Sequence, residues 1–234
     1  MSSPESTGKR RCRLAVVIPS LAIGGAERIA ITLLRHLDPG TFELHLITFH
    51  RADDFSRDLP SHVIRHPLHA EKLRAGVLRY ISTLRSLRPE VIFSLMAHTN
   101  VLTLSLRPFL KGHPRIVCFE SSAMSSNTSM ERYPALMRRL CHWLYPKAHR
   151  IICQTQANLD DARQFLGVAG DNFSFIYNPV DSRRVLKLAS RDGSPFTSEG
   201  PNVVCVGRFD RVKGHDRAIE SFCRWKADEP GLQL

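Results

Sequence analysis

Several apolar runs in this sequence end in glycine, polar or cationic residues, which is where an α/β protein keeps its chemistry. In VVIPSLAIGGAER, residues 16–28, a strand ends at Pro19 and two adjacent glycines, Gly24 and Gly25, open a helix. Free backbone amides and the positive helix end suit an anion, and the absence of a β-carbon lets a ligand approach closely. A plain strand-to-helix turn accounts for the same residues, so both readings stand. The spacing fits neither G-x-G-x-x-G nor a P-loop, which needs Lys and Ser/Thr after its second glycine. Glu27, in the first helical turn, either pairs in solvent with Arg28 or reaches the cleft.

Three further strand ends carry polar groups. SLMAHTN, residues 94–100, runs from an apolar strand into His98, Thr99 and Asn100, at the end of a strand where open α/β sheets bind ligands. His98 can donate to a hydroxyl or phosphate, and Asn100 either bridges two hydroxyls or, like Thr99, caps the helix. Strand 115–120 delivers Glu120, followed by a Ser-rich loop that is either a flap over an acceptor or a surface connection. Asn178-Pro179 stops another strand, and Asp181 starts the next turn. Glu27, Asn100, Glu120 and Asn178 are thus the candidates for the acceptor side of a cleft.

The last constellation is VCVGRFDRVKGHDRAIESF, residues 204–222, with Arg208 after Gly207 and Lys213-Gly214 before a helix. Two cations beside a helix N-terminus suit a diphosphate leaving group; a solvated basic loop is the plainer alternative.

These residues need a scaffold that brings strand ends together. Short β-branched runs at 13–19, 42–49, 62–66, 90–95, 115–120, 150–154, 173–177 and 202–207 read as strands. They alternate with amphipathic stretches at 25–37, 71–88, 98–110, 131–146, 155–166 and 214–227. Alternation of this kind predicts an α/β fold, a Rossmann-like parallel sheet covered on both faces. In 71–88, Leu73, Val77, Tyr80, Ile81, Leu84 and Leu87 form one face, and Lys72, Arg74, Arg79, Arg85 and Arg88 fill the rest.

Residues 1–12 read as a flexible basic N-terminus, 13–186 as the first domain, 187–201 as a Ser/Gly/Pro-rich linker and 202–234 as the start of a second domain. One strand and one helix cannot stand as a domain, since the strand lacks a parallel neighbour: either the unit adds to the first sheet or the second domain is incomplete.

The 33 Lys and Arg against 22 Asp and Glu leave a net charge of +11, which favours anionic partners. No recognition-helix motif or aromatic platform accompanies that charge, so nucleic acid is not the expected partner. Six scattered cysteines with no C-x-x-C pair read as reduced thiols rather than zinc ligands, and no metal is expected. The apolar run after the basic N-terminus is too short for a signal peptide, and no window is long enough to span a membrane. A cytoplasmic protein is expected. The basic helices at 71–88 and 134–150 leave open a peripheral contact with an anionic membrane, or a merely solvated face.

GGAER after the first strand, NPVD before the linker and VGRFDRVKGHDRAIESF after it resemble the retaining glycosyltransferases of family 4 in wording, order and separation. That resemblance implies the GT-B fold, with an N-terminal acceptor-side domain and a C-terminal donor-binding domain. It implies transfer of a sugar from a nucleotide-diphosphate sugar, as co-substrate, to a glycan or lipid-linked hydroxyl, with no cofactor or metal. Arg208 and Lys213 would hold the donor diphosphate; Gly24 and Gly25 would lie against it or against the acceptor. The family's Glu-x7-Glu motif has no counterpart before Leu234, so the chain reads as truncated early in the donor domain. The alternative is a non-catalytic remnant or a glycan- or phosphosugar-binding module.

Overall fold

The computed structural model describes residues 10–129, 132–168, 170–190, 203–207, 209 and 213–228. The strands are β1 (Cys12–Ile18), β2 (Phe42–Thr48), β3 (Ile64–Pro67), β4 (Val91–Leu95), β5 (Arg115–Glu120), β6 (Arg150–Cys153) and β7 (Phe173–Phe175). They form a single parallel sheet in the order β3-β2-β1-β4-β5-β6-β7. The order reverses between β1 and β4, which pair with Val17 opposite Ser94. Chain connections leave these two neighbours in opposite directions, opening a crevice at their carboxyl ends.

Alternate strand residues feed two cores. Ala15, Val17, Ile47, Ile92, Ile116 and Ile151 face one side; Leu14, Val16, Ile18, Leu44, Leu46 and Leu95 face the other. The second side is covered by α1 (Gly25–His36) through Ala26, Ile29, Ala30 and Leu34. The first is covered by α2 (Val77–Leu87), α3 (Ala97–Leu106), α5 (Pro134–Leu144) and α6 (Gln156–Leu166), with the short α4 (Met124–Ser129) between. Helices on both faces bury the parallel strands, which is why those strands read as continuous apolar runs.

The helices stop for local reasons. Gly76 lies so close to Phe49 and Ala70 that a β-carbon would collide with the Phe49 ring, and the chain there is a 3₁₀ turn, Leu73–Gly76, rather than the start of a longer helix. Arg88 adopts a left-handed conformation and Pro89 follows, ending α2. Pro108 and Pro146 fall in the 3₁₀ turns that finish α3 and α5. Thr155 caps α6 by accepting the Asn158 amide, and Gly167 ends it at φ +63°.

The chain divides into two compact units, Met1–Val180 and Asp181–Leu234. In the second, α7 (Ser182–Ala189) starts at Asp181, whose carboxylate accepts the Arg184 amide, and α8 (His215–Asp228) follows Gly214 at φ +65°. Of the expected linker, residues 191–200 lie outside the described residues. The strand expected at 202–207 is corrected: residues 203–207 form none. A strand needs a ladder partner, and among the described residues none pairs with this run, where Val204 and Val206 are 61% and 90% exposed.

Candidate functional site

The carboxyl edge of the sheet gathers what the sequence singles out in the first unit. After β1, the loop is tied down by Leu21 N–H to the Ala52 carbonyl (3.0 Å) and Ile23 N–H to Asp54 Oδ2 (3.2 Å). It delivers Gly24 as the N-cap of α1, with no side-chain cap. Gly24 is extended, so its backbone does not demand glycine. Glu27, largely buried, folds its carboxylate back to where a β-carbon on Gly24 would stand. A β-carbon on exposed Gly25 would meet nothing within 4 Å. The colliding Glu27 atoms are the far end of a flexible side chain, so packing within the chain demands glycine at neither position.

On the other side of the sheet a groove of about 530 Å³ opens. It is lined by Lys72, Leu73 and Arg74 ahead of α2, by His98 in the first turn of α3, and by Arg132, Tyr133, Leu136, Met137 and Leu140 at and before α5. Helices crossing back over a parallel sheet begin at the strands' carboxyl ends, and the groove takes residues from the first turn of α3 and from the segments ahead of α2 and α5. None of the three carries a side-chain cap. Lys72, Arg74 and Arg132 put positive charge in this lining, and Leu73, Leu136, Met137 and Leu140 make its wall largely apolar. No acidic residue is among these lining residues.

Beneath the groove lies a buried polar network. Asn100 and Glu120 are 0% and 1% exposed, so both face the interior at the strand ends rather than an open surface. Asn100 Nδ2 donates to Glu120 Oε1 (2.7 Å) and to the Phe119 carbonyl (3.2 Å), and the Tyr145 hydroxyl donates to the same Glu120 oxygen. Burial pushes the Glu120 carboxyl up to about 7, against these two hydrogen bonds, which pull it down. Burial also pushes the Tyr145 hydroxyl well up, with the Glu120 charge adding to it. Asn100 Oδ1 and Thr99 Oγ1 are buried without a hydrogen-bond partner.

The remaining sites lie apart. Asn178, exposed beyond β7, donates to Gln154 Oε1 (2.8 Å). The Ser-rich stretch is helical in α4, where Ser125 bonds to Asp161 through its amide (3.1 Å) and its hydroxyl. In the second unit Lys213 is exposed just ahead of α8, and Arg208 lies outside the described residues. Among the described residues, no group of three His, Cys, Asp or Glu is placed to hold a metal, no disulfide forms, and no helix is long and apolar enough to cross a membrane. The sequence reading missed Arg132, Tyr133, Leu136 and Tyr145. The helix expected at 131–146 contains the first three, and Leu136 and Leu140 at i, i+4 were the available signal of an apolar face on it.

A doubly wound parallel sheet with helices on both faces defines a Rossmann-like α/β protein, as found in GT-B glycosyltransferases. Residues 23–184 match Glycosyltransferase Family 4, and the chain belongs to that family. It is 29% identical to the N-acetylgalactosamine-N,N'-diacetylbacillosaminyl-diphospho-undecaprenol 4-alpha-N-acetylgalactosaminyltransferase of Campylobacter jejuni, the match covering 92% of this chain and 60% of that protein. Its fold resembles sucrose-phosphate synthase from Thermosynechococcus elongatus (TM-score 0.66, 16% identity, 92% of this chain and 60% of that one). It also resembles Anabaena HepE solved in complex with UDP (TM-score 0.56, 15% identity, 76% and 50%).

Proposed function

We propose that this chain is the acceptor-side part of a retaining glycosyltransferase that moves a sugar from a nucleotide-diphosphate sugar to a hydroxyl of a lipid-linked glycan. The observation that carries the reading is the groove, whose lining combines Lys72, Arg74 and Arg132 with Leu73, Leu136, Met137 and Leu140 and so suits an acceptor with an anionic head and a hydrocarbon tail. The Campylobacter relative's name, which specifies a diphospho-undecaprenol acceptor, supports the same class.

In the reaction, the acceptor oxygen forms a bond to the sugar's anomeric carbon as the bond from that carbon to the diphosphate breaks. The electron pair leaves on the diphosphate, and the acceptor's proton passes to the departing oxygen on the same face. Lys213 and Arg208 are assigned to the leaving diphosphate, doing by fixed positive charge what a metal ion does in other transferases. His98 is assigned to the acceptor.

The enzyme works in the cytoplasm at the membrane surface. Beside the groove, α2 exposes Leu78 and α5 exposes Leu136 and Trp143, with Lys147 over the Trp143 ring at 3.6 Å. Apolar side chains interleaved with cations suit the headgroup region of an anionic bilayer.

Calorimetric titration with farnesyl diphosphate tests the acceptor site. It should bind more tightly than farnesol or inorganic diphosphate, and Lys72→Ala with Arg132→Ala should weaken it about tenfold or more. Absence of binding, or equal affinity in the double variant, would overturn the reading.

A further inference from the structure

We propose that Asn100, Glu120 and Tyr145 form a buried positioning unit in which one carboxyl oxygen ties the two helical walls of the groove to the end of β5. The proposal rests on the groove being the acceptor site. None of the three residues reaches the groove surface: their exposures are 0%, 1% and 0%. Glu120 is the last residue of β5, Asn100 lies two residues beyond His98 on α3, and Tyr145 opens the turn that finishes α5.

Both donors converge on Glu120 Oε1, and Asn100 Nδ2 also lies 3.3 Å from the Tyr145 hydroxyl. The same asparagine secures a strained turn. Met96, which joins β4 to α3, is held at φ +75°, a conformation costly for any residue but glycine. The Phe119 carbonyl accepts both the Met96 amide (3.3 Å) and Asn100 Nδ2, while the Asn100 amide donates to the Met96 carbonyl (2.9 Å). That turn sets the direction in which α3 leaves the sheet and hence where His98 meets the groove.

An apolar cluster would fill the same space without burying a carboxyl, so the energetic cost of Glu120 points to a gain in geometry. The thiols of Cys118, Cys141 and Cys153 are the other titratable groups around the pair. None is cationic, so hydrogen bonds alone hold the carboxyl in place.

The test compares Tyr145→Phe, Glu120→Gln and Glu120→Leu by amide exchange and by farnesyl diphosphate affinity. Tyr145→Phe and Glu120→Leu should speed exchange at the Asn100 and Ala148 amides about tenfold or more relative to the amides of β1 and β4, and weaken binding about tenfold. Glu120→Gln keeps an accepting oxygen and should restore both. Exchange rising evenly over the sheet would show a merely structural role and overturn the proposal. So would unchanged affinity in Tyr145→Phe despite faster local exchange. If the unsubstituted chain does not bind the probe, the acceptor reading falls, and the exchange pattern alone decides whether the unit pins both walls.

Discussion

Glu27 folds back on Gly24 so that its carboxylate occupies the place of the missing β-carbon. The neighbouring Gly25 has open space in that direction. The two adjacent glycines therefore have different surroundings, and substitution separates them.

Gly25 is the first residue of α1, where alanine is the better helix former by up to about 1 kcal/mol. Gly25→Ala should leave the melting temperature unchanged or raise it. Binding of UDP or of farnesyl diphosphate should nevertheless fall about tenfold if a ligand lies against this backbone. Unchanged affinity for both would leave Gly25 as a turn residue. Gly24→Ala should displace the Glu27 carboxylate at little cost in stability, because the colliding atoms end a flexible side chain.

The Glu120 carboxyl makes stability depend on pH. Its folded value of about 7 lies above the ordinary 4.5, so between those values the folded chain holds a proton that the unfolded chain has released. Stability is therefore highest at the acid end of this window and declines as pH rises through about 7, by about 3 kcal/mol for this group. Glu120→Gln removes the titration. Denaturant midpoints measured from pH 5 to pH 8 should fall more steeply for the unsubstituted chain than for the variant. Parallel curves would mean that Glu120 titrates as it does in the unfolded chain.

The ends of α6 offer a check on the local reading of the fold. Thr155→Ala removes the cap on the Asn158 amide, and Gly167→Ala forces a side chain into φ +63°. Each should cost about 1 kcal/mol in a denaturant titration, additively because the sites lie at opposite ends of the helix.

Much of the architecture was legible because buried parallel strands are apolar without interruption. Each strand of the sheet falls where a β-branched run predicts one, with ends shifted by two residues at most. The run at 202–207 has the same composition and forms no strand in its described residues, since composition cannot supply a ladder partner. Two helices escaped notice: α4, MSSNTS, has no apolar period, and Val185, Leu186 and Leu188 of α7 are all exposed.

For the site, the polar strand ends were visible and their surroundings were not. Asn100 and Glu120 have the types of ligand-binding residues, yet each is satisfied in part by Tyr145, 45 and 25 residues away. A tyrosine before a proline at a helix end gives no hint of that partnership. Lys72, Arg74 and Arg132 likewise read as ordinary basic positions until the fold brings them to one groove.

The most direct test of the acceptor groove is photo-crosslinking with a benzophenone-bearing farnesyl diphosphate, followed by peptide mapping. Label should fall on residues 72–74 and 133–140 and be competed by unmodified farnesyl diphosphate. Label confined to other surfaces, or insensitive to the competitor, would contradict the assignment of this groove to a lipid-linked acceptor.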